Sequence, residues 1–464
     1  MSQPACLILA AGKGTRMRSN LPKVLHLLAG KSMLQRVLDS VPNDIPPLVV
    51  IGCRGDLIRQ ALGDRCEYVE QGEYLGTGHA VKVGVEHLPA GSGQVLIIHG
   101  DEPMIDSRVY TEMLETQQKN GSAIVLLTAE VENTLEFGRV VRTPEGMPKD
   151  LVQHNDLTTE QQLLREVNLG VYVFDLQFLW RTLPGLLPHP PKGEFYLTDL
   201  VGVAHGEGSR IDAVRVEGGD DLMGINDLVQ LERAAQSIYR KSNRRLMEQG
   251  VRILDSASTF IDDDVTIEAD TVIHPFSVIS GATRIGGDCI IGPNAIVRSS
   301  QIGNGCTVLA STLEQATVGD HVRIGPYAHL RAGSCIASGA EIGNYTEIKN
   351  STIGHDTRIH HFGYIGDADI GDRVNIGAGT VTCNYDGVRK HRTIVEDGAF
   401  IGSDTMLRAP VTIGKHASTG AGSVVTHDVE AGTTVQGVPA RVTERGRAGE
   451  EIETGDGEVS RGSS

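Results

Sequence analysis

Three short stretches of the chain carry residue types that could do chemistry. The first is the turn Leu9-Ala10-Ala11-Gly12-Lys13-Gly14-Thr15-Arg16-Met17, which directly follows an apolar run. Its small residues let backbone N–H groups approach a phosphate, and Lys13 and Arg16 add positive charge beside the start of the next element. It is not a dinucleotide fingerprint, because Met17 stands where a third glycine belongs. Nor does Gly30-Lys31-Ser32 complete a P-loop, since Leu25 replaces the leading glycine. The second stretch is Gly100-Asp101 at the end of another apolar run, a carboxylate placed to hold a phosphate-bound Mg²⁺. The bland alternative for Asp101 is a helix N-cap. The third is His361, three residues before Tyr364 and near the loop Cys383-Asn384-Tyr385-Asp386. An imidazole that titrates near neutrality suits amine acylation, because an ammonium must lose a proton before it attacks a thioester. Among 16 histidines, a plain surface role is the competing reading.

The elements that must position these residues fall into two textures. Over residues 1–228, apolar runs at Cys6–Ala11, Pro47–Ile51, Gln94–Ile98 and Ala123–Leu127 alternate with helix-period segments such as Leu34–Val41 and Val109–Gln118. That alternation predicts an α/β domain with a mostly parallel, Rossmann-like sheet whose ligands sit at the carboxyl ends of the strands. Residues 229–249 are charged and helix-forming, and predict a long linker helix. From Gly250 the period changes: Val318, Ile324, Leu330, Ile336, Ile342 and Ile348 recur every six residues, then Ile353, Ile359 and Ile365 after a one-residue break. Six is not a helical period, and the Gly, Asn and Asp after many of these residues are turn formers. Residues 250–444 are therefore expected to form a left-handed parallel β-helix of hexapeptide repeats. The breaks read as corners with a residue omitted, and Thr382–Glu396 reads as a loop extruded from the solenoid. The tail, 445–464, is expected to be disordered.

Composition narrows the classes. With 42 Lys and Arg against 59 Asp and Glu, the net charge of −17 argues against a phosphate-backbone reader. Glycine supplies 56 of 464 residues, above the usual share of about 7%, in keeping with repeated turns. The seven cysteines are scattered without a C-x-x-C pair, which suits a reducing cytoplasm, and no stretch approaches a membrane span. Hexapeptide repeats alone do not show catalysis, since scaffolds use them too.

The glycine turn followed by Pro22-Lys23 resembles the signature of sugar-nucleotide pyrophosphorylases, and Gln71 with Leu75-Gly76-Thr77-Gly78-His79-Ala80 resembles the uracil-reading segment of the UDP-sugar members. Gly138, Asn168, the Gly193–Asp199 segment and Gly224-Ile225-Asn226 continue that likeness in order. With Arg331, Glu347, Lys349, His361 and the Asn384-Tyr385 loop, nearly the whole chain resembles the bacterial bifunctional N-acetylglucosamine-1-phosphate uridylyltransferase/glucosamine-1-phosphate N-acetyltransferase family. The resemblance implies Mg²⁺ on Asp101 and Asn226, and catalytic charge from Lys23 and Arg16. It implies UTP and sugar contacts from Leu9, Ala10, Ala11, Gly12, Gln71, Gly76, Thr77, Gly138, Gln153 and Asn168. In the second half it implies His361 as base, Glu347 as the carboxylate orienting it, and glucosamine 1-phosphate on Arg331, Lys349, Tyr364 and Asn375. Ala378, Ser403 and Ala421 would line acetyl-CoA, with Asn384 and Tyr385 bordering it and the sugar pocket. A homotrimer with acetyltransferase sites between subunits is also implied. This chain has Gln153 where the family usually has Glu, Gly437 where it often has Arg, and His329 in place of a common basic residue. The rival is a nucleotidyltransferase whose β-helix only trimerises, and gluco against galacto specificity stays open.

Overall fold

The computed structural model describes residues 3–132, 134, 137–217, 222 and 224–445; the tail expected to be disordered lies outside them from residue 446 on. The chain divides into two units, Met1–Ser237 and Ile238–Ser464.

In the first unit, the main path of the sheet runs in the order Ile211–Val216, Ile124–Glu130, Glu166–Asp175, Gln94–His99, Ala5–Ala10, Pro47–Ile51, Glu67–Glu70. Neighbours are parallel except at Glu166–Asp175, which runs antiparallel to both of its neighbours. The strands read as unbroken apolar runs because both faces are covered. Ile8, Val49, Leu96 and Ile98 pack on one side with Tyr110 and Met113, while Leu7, Val50 and Ile97 pack on the other with Val81 and Val85. The helix Ser107–Asn120 that follows the central strand is capped by Asp106, whose carboxylate accepts from the Arg108 N–H at 2.9 Å. Capping therefore does not account for Asp101.

The helix Leu228–Glu248 spans the junction of the two units. Beyond it the described residues wind into a parallel β-helix of three sheets with 12, 10 and 9 strands, in which nearly every short strand pairs with the third one after it and the 12-stranded sheet ends in an antiparallel hairpin. Ile324 lies beside Ile342, and Ile342 beside Ile359, so the hexapeptide aliphatics stack into one column per face. Ile336, Ile342, Ile348, Ile353, Ile359 and Ile365 are all buried in one continuous core. At the break after Ile348 the corner is a residue shorter, and Asn350 takes the left-handed conformation there. Deleting most of one rung should be costly because neighbouring coils hold the space open. Ile348→Ala is expected to destabilise the β-helix by about 2–5 kcal/mol, read as a lowered denaturant midpoint of its unfolding transition. Among the described residues no helix is long and apolar enough to cross a membrane.

Candidate functional sites

In the first unit a cavity of about 550 Å³ opens at the carboxyl ends of the central strands. Its wall includes Leu9, Ala10, Ala11, Gly12, Arg16, Lys23, Gln71, Gly76, Thr77, Asp101 and Asn226. Gly14 is left-handed, and a Cβ there would fall 2.5 Å from the Cβ of Lys23, so the glycine is what lets Lys23 pass under the turn. The Lys23 ammonium pairs with Asp101 Oδ2 and donates to Asn226 Oδ1 at 2.8 Å, and Arg16 Nη2 donates to the same amide oxygen at 2.8 Å. Four residues from four separate segments thus meet at one point. Burial, the largest influence, works to raise the Asp101 carboxyl, but the Lys23 charge, His99 and the hydrogen bonds to the carboxylate together outweigh it and hold Asp101 below the ordinary range.

Gln71 is buried and donates to the Gly76 carbonyl at 3.1 Å, which fixes its amide against the Gly76-Thr77 turn. Thr77 Oγ1 accepts from the Leu197 N–H at 3.1 Å, tying that turn to the Gly193–Asp199 segment. Gly138 and Asn168 are joined by a 3.1 Å backbone bond, and Gln153 Nε2 donates to Thr198 Oγ1 at 3.2 Å; these three stand outside the cavity lining. Tyr74, Lys192, Glu194 and Tyr196 also line the cavity, beside Lys13, without having been given a ligand role from the sequence. The Lys13 ammonium lies 5.0 Å from the Tyr74 ring centre, a cation–π contact that only the folded turn creates.

In the β-helix, His361 sits at the corner between the strands Arg358–Ile359 and Gly363–Gly366. Ala378, Ser403 and Ala421 occupy the same corner on the next three coils, because Ile359, Ile376, Ile401 and Thr419 are in register two residues before each. Together with Asn375 they line a groove of about 460 Å³. Around the corner, on the second face, Glu347 and Tyr364 are direct neighbours, and Arg331 Nη1 donates to Glu347 Oε1 at 2.7 Å.

Within the single chain, some of these residues meet and others lie apart. Glu347 makes no hydrogen bond to His361 among the described residues: its carboxylate is on the flat of the second face and takes Arg331, whereas His361 is on the corner. Asn375 is not beside Arg331, Lys349 and Tyr364 either, since its strand belongs to the first face. The extruded loop adds a residue that sequence reasoning missed. Lys390 comes to Lys349, and the two ammonium groups hold the Lys349 pKa below its ordinary value. Asn384 is anchored by Asp367, which accepts from it at 2.5 Å and from Asn350 at 2.6 Å, while Tyr385 is exposed with its hydroxyl on the Gly387 carbonyl. Burial acts to raise Asp367, and those amide donors reverse it. His329 pairs with Glu314 at 3.1 Å, and Gly437 is a left-handed turn residue, φ 96°, leading into the final hairpin.

Comparison with known proteins agrees with this division. A family model of the MobA-like NTP transferase domain matches residues 6–167, and one of the bacterial transferase hexapeptide (six repeats) matches 264–299, 315–350 and 392–427. The chain is 41% identical over 434 residues to the bifunctional protein GlmU of Heliobacterium modesticaldum, covering 93% of this chain and 95% of that one. It is 38% identical over 444 residues to the bifunctional protein GlmU of Streptococcus agalactiae serotype V, covering 95% and 97%. A solved structure of UDP-glucose pyrophosphorylase complexed with UDP-glucose aligns with 51% of this chain and 98% of its own at 20% identity and a TM-score of 0.43.

Proposed function

The chain belongs to the family of bifunctional GlmU proteins and is a transferase with uridylyltransferase and acetyltransferase activities, and we propose that its two units divide these activities as follows. In the β-helix, the amine of glucosamine 1-phosphate attacks the thioester carbonyl of acetyl-CoA, His361 takes the ammonium proton, and the CoA thiol leaves. In the first unit, a phosphate oxygen of N-acetylglucosamine 1-phosphate attacks the α-phosphorus of UTP. Pyrophosphate leaves and UDP-N-acetylglucosamine remains.

What carries this reading is the convergence of Arg16, Lys23, Asp101 and Asn226 under the glycine turn. Oxygens of Asp101 and Asn226 meet on one ammonium, so they are already placed to share a cation, and hard oxygen donors suit Mg²⁺. Bound there, Mg²⁺ would neutralise phosphate charge. Arg16 and Lys23 supply fixed positive charge where negative charge accumulates, and the backbone of Leu9–Gly12 holds the phosphates. Gln71 and the Gly76-Thr77 turn stand at the far side, where a uracil ring would be read.

The acetyl-transfer residues support an assembly of three copies. Asn375 and the groove column open on one face and Arg331, Lys349 and Tyr364 on the next, so a substrate touching both needs a wall that a neighbouring chain can supply. The seven free cysteines support a cytoplasmic location.

The test is a paired assay on the purified chain. Pyrophosphate release from UTP with N-acetylglucosamine 1-phosphate and thiol release from acetyl-CoA with glucosamine 1-phosphate should both be seen. Absence of the thiol would leave the β-helix as an assembly module. The Lys349–Lys390 pair offers a finer check. Two cations held close together suit a dianionic phosphate, so Lys390→Ala is expected to raise the KM for glucosamine 1-phosphate roughly fivefold with kcat little changed. Steady-state thiol-release kinetics would show this.

A further inference from the structure

Beside Asp101, at the edge of the nucleotide cavity, lie two donors, His99 and Glu102, that the reaction described above does not use. The strand Gln94–His99 ends in a turn closed by a 3.1 Å bond from the Glu102 N–H to the His99 carbonyl. That turn brings one ligand atom each of His99, Asp101 and Glu102 within 4.8 Å of one another. Glu102 is 6% exposed, its Oε2 has no hydrogen-bond partner, and neither has Nε2 of His99. Buried polar atoms are ordinarily satisfied, and a buried carboxylate without donor or counter-charge is among the costlier exceptions. Asp101 already has Lys23 as counter-charge; Glu102 has none among the described residues.

Two glycines let these side chains approach the backbone closely. A Cβ on Gly170 would fall 2.9 Å from His99 Nδ1 and 3.1 Å from Glu102 Oε1, and one on Gly224 would fall 2.7 Å from Glu102 Oε1. Imidazole and carboxylate therefore pack against the same glycine backbone at Gly170, with the carboxylate also against Gly224. An ion with bonds of about 2.0–2.2 Å needs its ligands nearer together than 4.8 Å, a closure of roughly an ångström per side chain.

We infer that His99, Asp101 and Glu102 form a second divalent-cation site next to the Asp101 and Asn226 oxygens, with Asp101 shared between the two. One nitrogen and two carboxylates favour a transition ion of the Mn²⁺, Co²⁺ or Zn²⁺ class over Mg²⁺, which prefers oxygen and water. The rival occupant is a proton on Glu102, which would satisfy the buried carboxyl without any metal.

The test uses full-length, metal-stripped protein without nucleotide, so it does not depend on the nucleotide reading. Mn²⁺ is titrated in at neutral pH, with loss of the free-ion electron paramagnetic resonance signal giving stoichiometry. Electron spin-echo modulation then reports any ¹⁴N bound to the ion. We expect one Mn²⁺ per chain carrying an imidazole ¹⁴N coupling, at least tenfold weaker binding in Glu102→Gln, and loss of the coupling in His99→Gln. Asn226→Ala should keep it, which separates this position from the Asp101 and Asn226 pair. No ¹⁴N coupling in the unaltered protein, or undiminished binding in a folded Glu102→Gln chain, overturns the proposal, and the first of these needs no variant to fold. Lost pyrophosphate release in a chain that keeps ¹⁴N-coupled Mn²⁺ would count against the nucleotide reading alone.

Discussion

Asp101→Ala is expected to lower uridylyl transfer by a factor of about 10²–10³ while acetyl transfer stays as it was. Among the described residues the carboxylate is the only full negative charge in contact with Lys23, and its oxygen is one of the two that converge where a cation would sit. Without it Lys23 loses the partner that holds its ammonium under the turn, and any cation loses its charged ligand. Both losses fall on charge developing at the phosphates, so kcat should drop more than KM rises. Asp101→Asn keeps the shape and removes only the charge, and should recover little. Acetyl transfer is the internal control, since every residue assigned to it belongs to the other unit. Pyrophosphate release and thiol release, measured on one preparation, decide the matter. A parallel fall of both in a folded chain would mean the sites are not separate, and unimpaired pyrophosphate release would remove Asp101 from the site.

What the sequence made legible follows from how locally each feature is encoded. The β-helix can be read from spacing because its narrow core accepts one aliphatic per face, so burial and period are one constraint, as the stacked isoleucines show. The glycine turn is legible for a similar reason: Leu9 to Arg16 reach the cavity along a single loop. Contacts between coils are a different matter. Glu347 lies on Arg331 and beside Tyr364 because of coil register, and each shortened corner shifts that register by a residue. A motif at one position does not reveal its neighbour one coil away, as the Arg331 bond to the Glu347 carboxylate shows. Lys390 is harder still, since it reaches Lys349 only through the fold of an extruded loop. The His99 and Glu102 donors were present in the sequence beside Asp101. Their significance lies in burial and missing partners, which no spacing records.

His361→Ala is the second large effect, an expected loss of about 10²–10⁴ in kcat for acetyl transfer with uridylyl transfer intact. His361 lies at the start of the corner column that Ala378, Ser403 and Ala421 continue, next to the second face that carries Arg331, Lys349 and Tyr364, which is where the proposed acetyl transfer would need a base. A surface histidine without function could occupy the same corner, and the pH profile separates the two cases. If His361 removes the ammonium proton, its absence matters most around neutral pH, where an imidazole can still accept a proton and little of the amine is free. As the pH rises, solvent deprotonates more of the amine and the base becomes less necessary, so the ratio of wild-type to His361→Ala rates should shrink steadily. A residue that only positions substrate would give a ratio independent of pH and a change mainly in KM. Thiol release from acetyl-CoA, followed from neutral to alkaline pH with saturating glucosamine 1-phosphate, distinguishes these outcomes, and a flat ratio over that range would remove His361 as the base.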